Sequence, residues 1–503
     1  MNEPLPLDRR TLDRARLSRD ARFDGRFFIG VTSTGVYCRP VCPAPSPKSA
    51  HVEYYASAAA AQEAGFRPCL RCRPEAAPGT PAWMGTSAVV RRALGLIQDG
   101  ALDESSIEAF AERVGIGARH LNRLFVRHVG ASPLAVAHTR RLHFAKRLID
   151  ETRLPITQIA LASGFGSLRR FNDAFIKAYA RAPREIRRRS ERACVGPGDA
   201  VVLHLAYRPP YDWRHLLDFL AARAIPAIER VEEESYARSV ALADGVATVT
   251  VRPIRGRHEL ELTVRGASPA ALFPLTVAAR RMFDLGADPA LMRRAFGDDP
   301  VVGPLVRRRP GLRIPGAWDA FECAVRAILG QQVSVAAART LAQRLVERAG
   351  AKVSLPDARL THLFPSPAAL AGTDLSGLGL TGARIASIQA LVRALLERTL
   401  TFDAPPEQVI AALRALPGIG AWTAQYIALR ALAEPDALPA ADLVLRRIAA
   451  GAGQPLSAPT LERIAERWRP WRSYAVMHLW AAASEPPTRA RSTLSHSRTE
   501  VLA

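Results

Sequence analysis

No stretch of eighteen apolar residues occurs in this chain of 503 residues, so the sequence offers no helix able to cross a bilayer. Its first twenty residues, MNEPLPLDRRTLDRARLSRD, lack the apolar core of a secretory signal, and a cytoplasmic protein is expected. Acidic residues are scarce beside basic ones, 47 against 69, and the net charge of +22 calls for a polyanionic partner. Nucleic acid comes first and an anionic membrane surface second. Cysteine is limited to six residues, which in a reducing compartment read as metal ligands or free thiols rather than disulfides. What is plentiful is apolar: 48% hydrophobic and 23% charged residues suit a chain that buries cores, and the length suits three or four domains.

The texture changes along the chain. Residues 1–80 hold four of the six cysteines among glycines, prolines and arginines. Residues 86–190 read as short amphipathic helices, with apolar residues at three- and four-residue spacing. A basic, glycine-proline linker, RRRSERACVGPGDA, follows at 187–200. Residues 200–282 alternate as strands around the helical DWRHLLDFLAARA, and residues 283–487 are nearly all helical. The tail, 488–503, has no periodicity and is expected to be disordered. The expected class is therefore a multidomain α+β protein, mostly α: a small zinc domain, a double helix-turn-helix, a small α+β cap and an all-α domain.

Cys38 and Cys42 form a C-x3-C pair and Cys69 and Cys72 a C-x2-C pair. One short loop delivering two thiolates chelates well, and four thiolates close a tetrahedral zinc site. A competing pattern, His51-Val52-Glu53 with Pro68-Cys69-Leu70-Arg71-Cys72, is that of zinc deaminases. It leaves only 14 residues between Glu53 and Pro68, too few for the intervening elements, and gives Cys38 and Cys42 no task. The stretch FDGRFFIGVTSTGVYCRPVCPAPSPK, with AGFRPCLRCRP after it, resembles the N-terminal domain of the Ada methylation-response family over about residues 23–75. That resemblance implies one zinc tetrathiolate in which Cys38 accepts a methyl group from a DNA methylphosphotriester. Thiolate is the nucleophile, and methylation would remove negative charge that repels phosphate.

Two helix pairs follow. SSIEAFAERVGIGARHLNRLFVRHVGASP turns at Gly115 to Gly117 before Arg119, His120, Asn122 and Arg123; LPITQIALASGFGSLRRFNDAFIKAYARAP turns at Gly164 to Gly166 before Ser167, Arg169, Arg170 and Asn172. Helix, glycine turn and basic helix is the helix-turn-helix pattern, although a bundle with a solvated basic face reads alike. The segment 86–189 resembles AraC-type DNA-binding domains, which implies two recognition helices, sequence-specific binding of double-stranded promoter DNA and RNA polymerase as a further candidate partner.

In LPGIGAWTAQY the turn Pro417-Gly418-Ile419-Gly420 separates two helical stretches. Glycine lets backbone approach a ligand, and free N–H groups at the next helix start suit a DNA phosphate. Trp422 and Tyr426, four apart, share a helix face; Trp480 lies on a later helix, and Asp442 stands 22 residues beyond Gly420. By pattern alone these aromatics read as core and Asp442 as a helix cap. Residues 200 to about 485 resemble AlkA-type glycosylases of the helix-hairpin-helix superfamily, on RRMFDLGADP, GLRIPGAWDAFECAVRAILGQQVSVAAA, LPGIGAWTAQYIALRALAEPDA and ERWRPWRSYAVMHLW. The resemblance implies excision of alkylated bases such as 3-methyladenine, with Asp442 catalytic and Trp422, Tyr426 and Trp480 around the base. It also implies Gln331 and Gln332 at the duplex wedge, with Gln332 where a well-known relative has an apolar residue. Lyase-competent relatives carry a lysine where Trp422 stands, so a monofunctional enzyme is expected.

Ala440 and Ala441 sit where some of the relatives the chain resembles carry a second acid, which implies that Asp442 acts alone. No P-C-H-R methyltransferase motif occurs, Cys194 falls in the linker, and Cys323 reads as a buried hydrophobe. The strands of 201–265 with their helices match the small α+β cap domain that the glycosylase resemblance implies, and are expected to be architectural. A methylation-sensing transcription factor that binds damaged DNA without cutting it is the alternative reading.

Overall fold

The computed structural model describes residues 7–78, 88–103, 105–189, 200–451 and 453–484; the tail and Cys194 lie outside the described residues. Helices dominate, with two small sheets.

The N-terminal sheet is built from strands too short to show periodicity: β1 (Phe28–Val31), β2 (Val36–Cys38), β3 (Val52–Tyr55) and β4 (Arg67–Pro68). Their order is β3-β1-β2-β4, antiparallel except for β2 with β4. Cys38 therefore ends β2, opposite Ile29, and the Cys69 N–H binds the Tyr37 carbonyl at 3.0 Å. Pairing the two strands brings the two cysteine pairs together.

The helix-turn-helix region alternates as the glycines demand. Helix Ile107–Val114 ends at Gly115 with φ of 91°, in the left-handed region, and Ala118–Val129 follows. In the second pair, Ile156–Ala162 is joined to Leu168–Tyr179 through Gly164, with φ of 78°. The long helix Pro133–Glu151 connects the pairs.

The second sheet runs β5 (Val201–Ala206), β9 (Glu259–Arg265), β8 (Gly245–Pro253), β7 (Tyr236–Leu242) and β6 (Glu229–Val231), all antiparallel. Leu260, Leu262 and Val264 alternate inward on β9, and helix Trp213–Arg223 contributes Leu216, Leu217 and Leu220 to the same core. That core continues without a break into Phe171, Phe175 and Tyr179 of the second helix-turn-helix. Phe144 meets Phe273 edge to face at 5.0 Å across the same junction.

The N-terminal domain is fastened to the rest by buried charge. Arg26 and Asp288 pair at 3.1 Å with both side chains almost wholly buried. Arg208, fully buried, donates to the Asp24 carbonyl at 3.0 Å and to the Gly286 carbonyl at 3.1 Å. On another side Lys146 bridges Glu75 at 3.3 Å and Asp150 at 2.5 Å, while Arg73 reaches Asp150 at 3.0 Å and Glu151 at 3.2 Å. Buried ions need such partners, because leaving one alone is far costlier than pairing it.

Candidate active site and metal centre

The hairpin starts where helix Pro406–Ala415 stops at Leu416, and helix Ala421–Ala431, the cage helix, begins after Gly420. The two glycines differ. Gly418 has φ of 75°, and a Cβ there would stand 2.1 Å from Ser387 Oγ, so both conformation and space require glycine. Gly420 is extended with open space around it and provides no side-chain cap, which leaves the first turn of the cage helix uncapped. Ile419 is buried, and its N–H is used within the turn on Leu416, so its side chain anchors the loop.

Along the cage helix, Trp422 and Tyr426 stack with ring centroids 5.2 Å apart and planes at 12°. Trp480, from helix Arg472–Ser484, stands 6.1 Å from Tyr426 at 55°. All three are half-buried and line a cavity of about 1290 Å³ that Asp442 also lines. The cap reading of Asp442 holds together with the cavity reading. Its Oδ1 accepts the Leu445 N–H at 3.0 Å, capping helix Leu443–Ala450, while its Oδ2 accepts Trp422 Nε1–H at 2.9 Å. Two fixed donors hold an acceptor group at the cavity wall, facing aromatic rings. Such a carboxylate can stabilise positive charge that develops beside it.

The two glutamines differ as well. Gln331 Nε2 donates to the Gly418 carbonyl at 2.8 Å and to Thr423 Oγ1 at 3.0 Å, stapling its loop to the hairpin. Gln332 is exposed with φ of 54°, a left-handed conformation that costs a non-glycine residue.

Sequence reasoning missed part of the cavity. Helix Trp213–Arg223, expected to be architectural, lines it with Phe219 and Arg223, and the cage helix adds Arg430. The cap domain therefore completes the site, which corrects that expectation. Arg430 had a signal in its spacing, since it follows Trp422 and Tyr426 at the same four-residue interval; Phe219 and Arg223 had none.

The four cysteine sulfurs lie within 4.8 Å of one another, and none of the four is in a disulfide. A tetrahedral zinc with bonds of about 2.3 Å separates its sulfurs by about 3.8 Å, so the donor set fits. The Arg39 N–H points at Cys72 Sγ from 3.4 Å, and the Arg39 guanidinium pairs with Asp24. Cys38, Cys69 and Cys72 are buried; Cys42 is the more open one.

On the recognition helices Arg119, His120, Asn122 and Arg123 are exposed, with Arg123 Nη2 and His120 Nδ1 2.8 Å apart. Arg169 and Arg170 are exposed, Asn172 is half-buried, and Ser167 Oγ accepts the Arg170 N–H at 3.2 Å as the helix cap.

Fold and site together define a base-excision DNA repair protein joined to a metal-binding, DNA-reading module. Family models match in the same order: the metal binding domain of Ada at 11–75, a helix-turn-helix domain at 110–189, the AlkA N-terminal domain at 202–319, and the HhH-GPD superfamily base excision DNA repair protein at 325–473. The chain is 43% identical over 481 residues, covering 94% of it and 96% of the relative, to the probable bifunctional transcriptional activator/DNA repair enzyme AlkA of Mycobacterium tuberculosis. It is 39% identical over 292 residues to DNA-3-methyladenine glycosylase 2 of Escherichia coli, covering 57% of this chain and 99% of that one. To the bifunctional transcriptional activator/DNA repair enzyme Ada of Escherichia coli it is 37% identical over 119 residues, covering 24% of this chain and 32% of that one. The chain belongs to the family of bifunctional transcriptional activator/DNA repair enzymes of the AlkA type.

Proposed function

We propose that the protein is a monofunctional DNA-3-methyladenine glycosylase that also senses and reports DNA methylation. The observation that carries the excision reading is the Trp422–Asp442 hydrogen bond at 2.9 Å, which joins the aromatic cage to a carboxylate in one cavity. A base flipped out of the duplex enters between Trp422, Tyr426 and Trp480, whose π faces attract the cationic ring that alkylation creates. Pro417, Gly418, Ile419 and Gly420 bring main chain up to the DNA backbone, and the uncapped start of the cage helix takes a phosphate. Gln332 fills the gap that the flipped base leaves, while Gln331 braces the hairpin beneath it.

As the C1′–N bond breaks, its electron pair leaves with the base and positive charge builds on the sugar. Asp442 stabilises that charge, and water then adds to C1′ and loses a proton. No lysine amine stands beside the hairpin, where Trp422 sits, so the product is an abasic site rather than a Schiff base.

In the N-terminal domain Cys38, Cys42, Cys69 and Cys72 would hold one zinc ion, which when bound keeps their thiols ionised at neutral pH. The Cys38 sulfur forms a bond to the methyl carbon of a methylphosphotriester as the C–O bond breaks, and the phosphodiester departs as the leaving group. This transfer happens once per molecule. The exposed basic residues of the two recognition helices then read promoter DNA, with RNA polymerase recruited as partner in the cytoplasm. Under this reading residues 1–80 sense, 86–190 read, and 200–282 with 283–487 excise.

Release of free 3-methyladenine from alkylated DNA tests the excision reading. Wild type should release it and Asp442→Asn should not. Equal release by both would remove Asp442 from its role, and no release by wild type would leave a DNA-binding regulator without excision.

A further inference from the structure

The cavity that holds Asp442 is electrically lopsided. Most charged side chains in its wall are neutralised by a neighbour of opposite sign: Arg326 by Glu229 and Glu322, each at 2.8 Å, Arg309 by Asp212 at 3.1 Å, and Arg214 by Asp218 at 2.9 Å. Of the charged wall residues outside these pairs, three lie at the aromatic cage. Asp442 is bonded to an indole and a main-chain N–H. Arg430, buried, donates to the carbonyls of Pro315 and Gly316 and, at 2.7 Å, to Tyr426 Oη. Arg223 donates to the Phe219 carbonyl at 3.2 Å, its guanidinium lies 3.6 Å over the Phe219 ring, and it stands near Tyr426. All of these partners are neutral.

These three charges are also ordered in space. Trp422, Tyr426 and Arg430 follow one another at four-residue steps along one face of the cage helix, a rise of about 12 Å from first to last. Asp442 meets the first of them, Arg430 holds the Tyr426 hydroxyl, and Arg223 stands near both Tyr426 and Arg430. The cage thus has a negative end at Trp422 and a positive end beyond Tyr426.

We infer that Arg223 and Arg430 form a cationic wall at the base end of the cavity that drives positive charge off the alkylated base and onto the sugar. This rests on the excision reading above. An alkylated base enters as a cation and leaves neutral, because the breaking C1′–N bond leaves both its electrons on the base, while the sugar becomes cationic until water adds and sheds a proton. Repulsion between the guanidiniums and the base is therefore greatest in the bound ground state and fades in the transition state, as attraction between Asp442 and the sugar grows. Both ends of the cage favour the same movement of charge, and aromatic stacking offsets the repulsion on binding. The wall therefore weakens binding of a cationic lesion and speeds its excision.

Single-turnover excision and duplex affinity of the full-length protein, on oligonucleotides carrying one 7-methylguanine or one neutral hypoxanthine, test this. Arg223→Gln and Arg430→Gln should each slow 7-methylguanine release on the order of tenfold while tightening binding of that duplex by a comparable factor. Affinity for the hypoxanthine duplex should stay unchanged, and Arg223→Lys should restore wild-type behaviour on 7-methylguanine. Slower release with weaker or unchanged binding would mean that the arginines only hold the pocket in shape, and unchanged release would sink the wall. Arg430 also ties down the 315–316 loop, so if its variant fails to fold the Arg223 pair decides. Absence of any base release by wild type would instead overturn the glycosylase reading itself.

Discussion

Trp422 donates its indole N–H to the same carboxylate, Asp442, that caps helix Leu443–Ala450. The two acceptor oxygens have separate tasks, and separate substitutions address them. Asp442→Asn keeps a good helix cap, so thermal stability should stay close to wild type, whereas excision should fall by at least about a hundredfold with the loss of the negative charge. Trp422→Phe keeps a stacking ring but removes the donor. Its kcat should fall by about tenfold with a smaller change in KM, since the carboxylate loses its orientation rather than its charge. Parallel melting curves and steady-state kinetics check both.

Gln332 carries its positive φ at an exposed position, so the conformation is held for a reason other than packing. Gln332→Gly should relieve strain and leave stability unchanged or slightly raised, while slowing excision. The slowing should be several times larger for a lesion paired in a stable duplex than for one opposite a mismatch, where less unstacking is needed. A similar loss on both substrates would rule out a wedge.

The Arg26–Asp288 pair joins the N-terminal domain to the glycosylase with both charges buried, and the facing atoms, Arg26 Nε and Asp288 Oδ2, have no hydrogen-bond partner among the described residues. Arg26→Ala should strand the Asp288 charge and destabilise the junction by about 3–5 kcal/mol. Replacing both residues with apolar ones of similar volume should recover much of that loss. Denaturant midpoints of the single and double variants measure the difference.

His478 is buried in helix Arg472–Ser484, and burial first, then His215 and Arg309, brings its pKa down to about 4 from 6.5. The unfolded chain therefore binds the proton that the folded chain refuses. Its contribution to stability is fully present above pH 6.5 and is lost as pH falls towards 4, up to about 3 kcal/mol. His478→Gln should flatten the dependence of unfolding midpoint on pH across that window. An unchanged slope would contradict the buried, neutral state.

Cys38 and Cys42 differ in exposure, with Cys42 the more open. Mass mapping after reaction with methylphosphotriester DNA should find S-methylcysteine at Cys38, and Cys38→Ala should abolish uptake. Methyl found on Cys42 instead would make access, rather than position in the sequence motif, the deciding factor. Cys69→Ser should lose bound zinc and lower the melting temperature.

Much of the glycosylase was legible because its signals are local. The four-residue interval of Trp422 and Tyr426 announces a shared face, and glycine at 418 announces a turn no other residue could make. Arg430 continues the same interval, yet one arginine among 69 basic residues carries no weight by itself. Phe219 and Arg223 reach the cavity from about 200 residues away in sequence, through packing that no spacing records. The N-terminal sheet was hidden because strands of two to four residues have no periodicity to read. The core common to the second helix-turn-helix and the five-stranded sheet was hidden for a different reason: an apolar face reads the same whichever partner covers it.

The buried seam of the Arg26–Asp288 ion pair and the carbonyl-bound Arg208 has a consequence for how lesions are met. With the thiol centre and the excision cavity locked to one frame, the protein confronts a duplex as a ruler of fixed length. Under the proposed function, a damaged phosphate and a damaged base can be engaged together only at separations the ruler fits. Since B-DNA repeats about every 10.5 base pairs, simultaneous occupancy should oscillate with helical phase instead of decaying smoothly with distance.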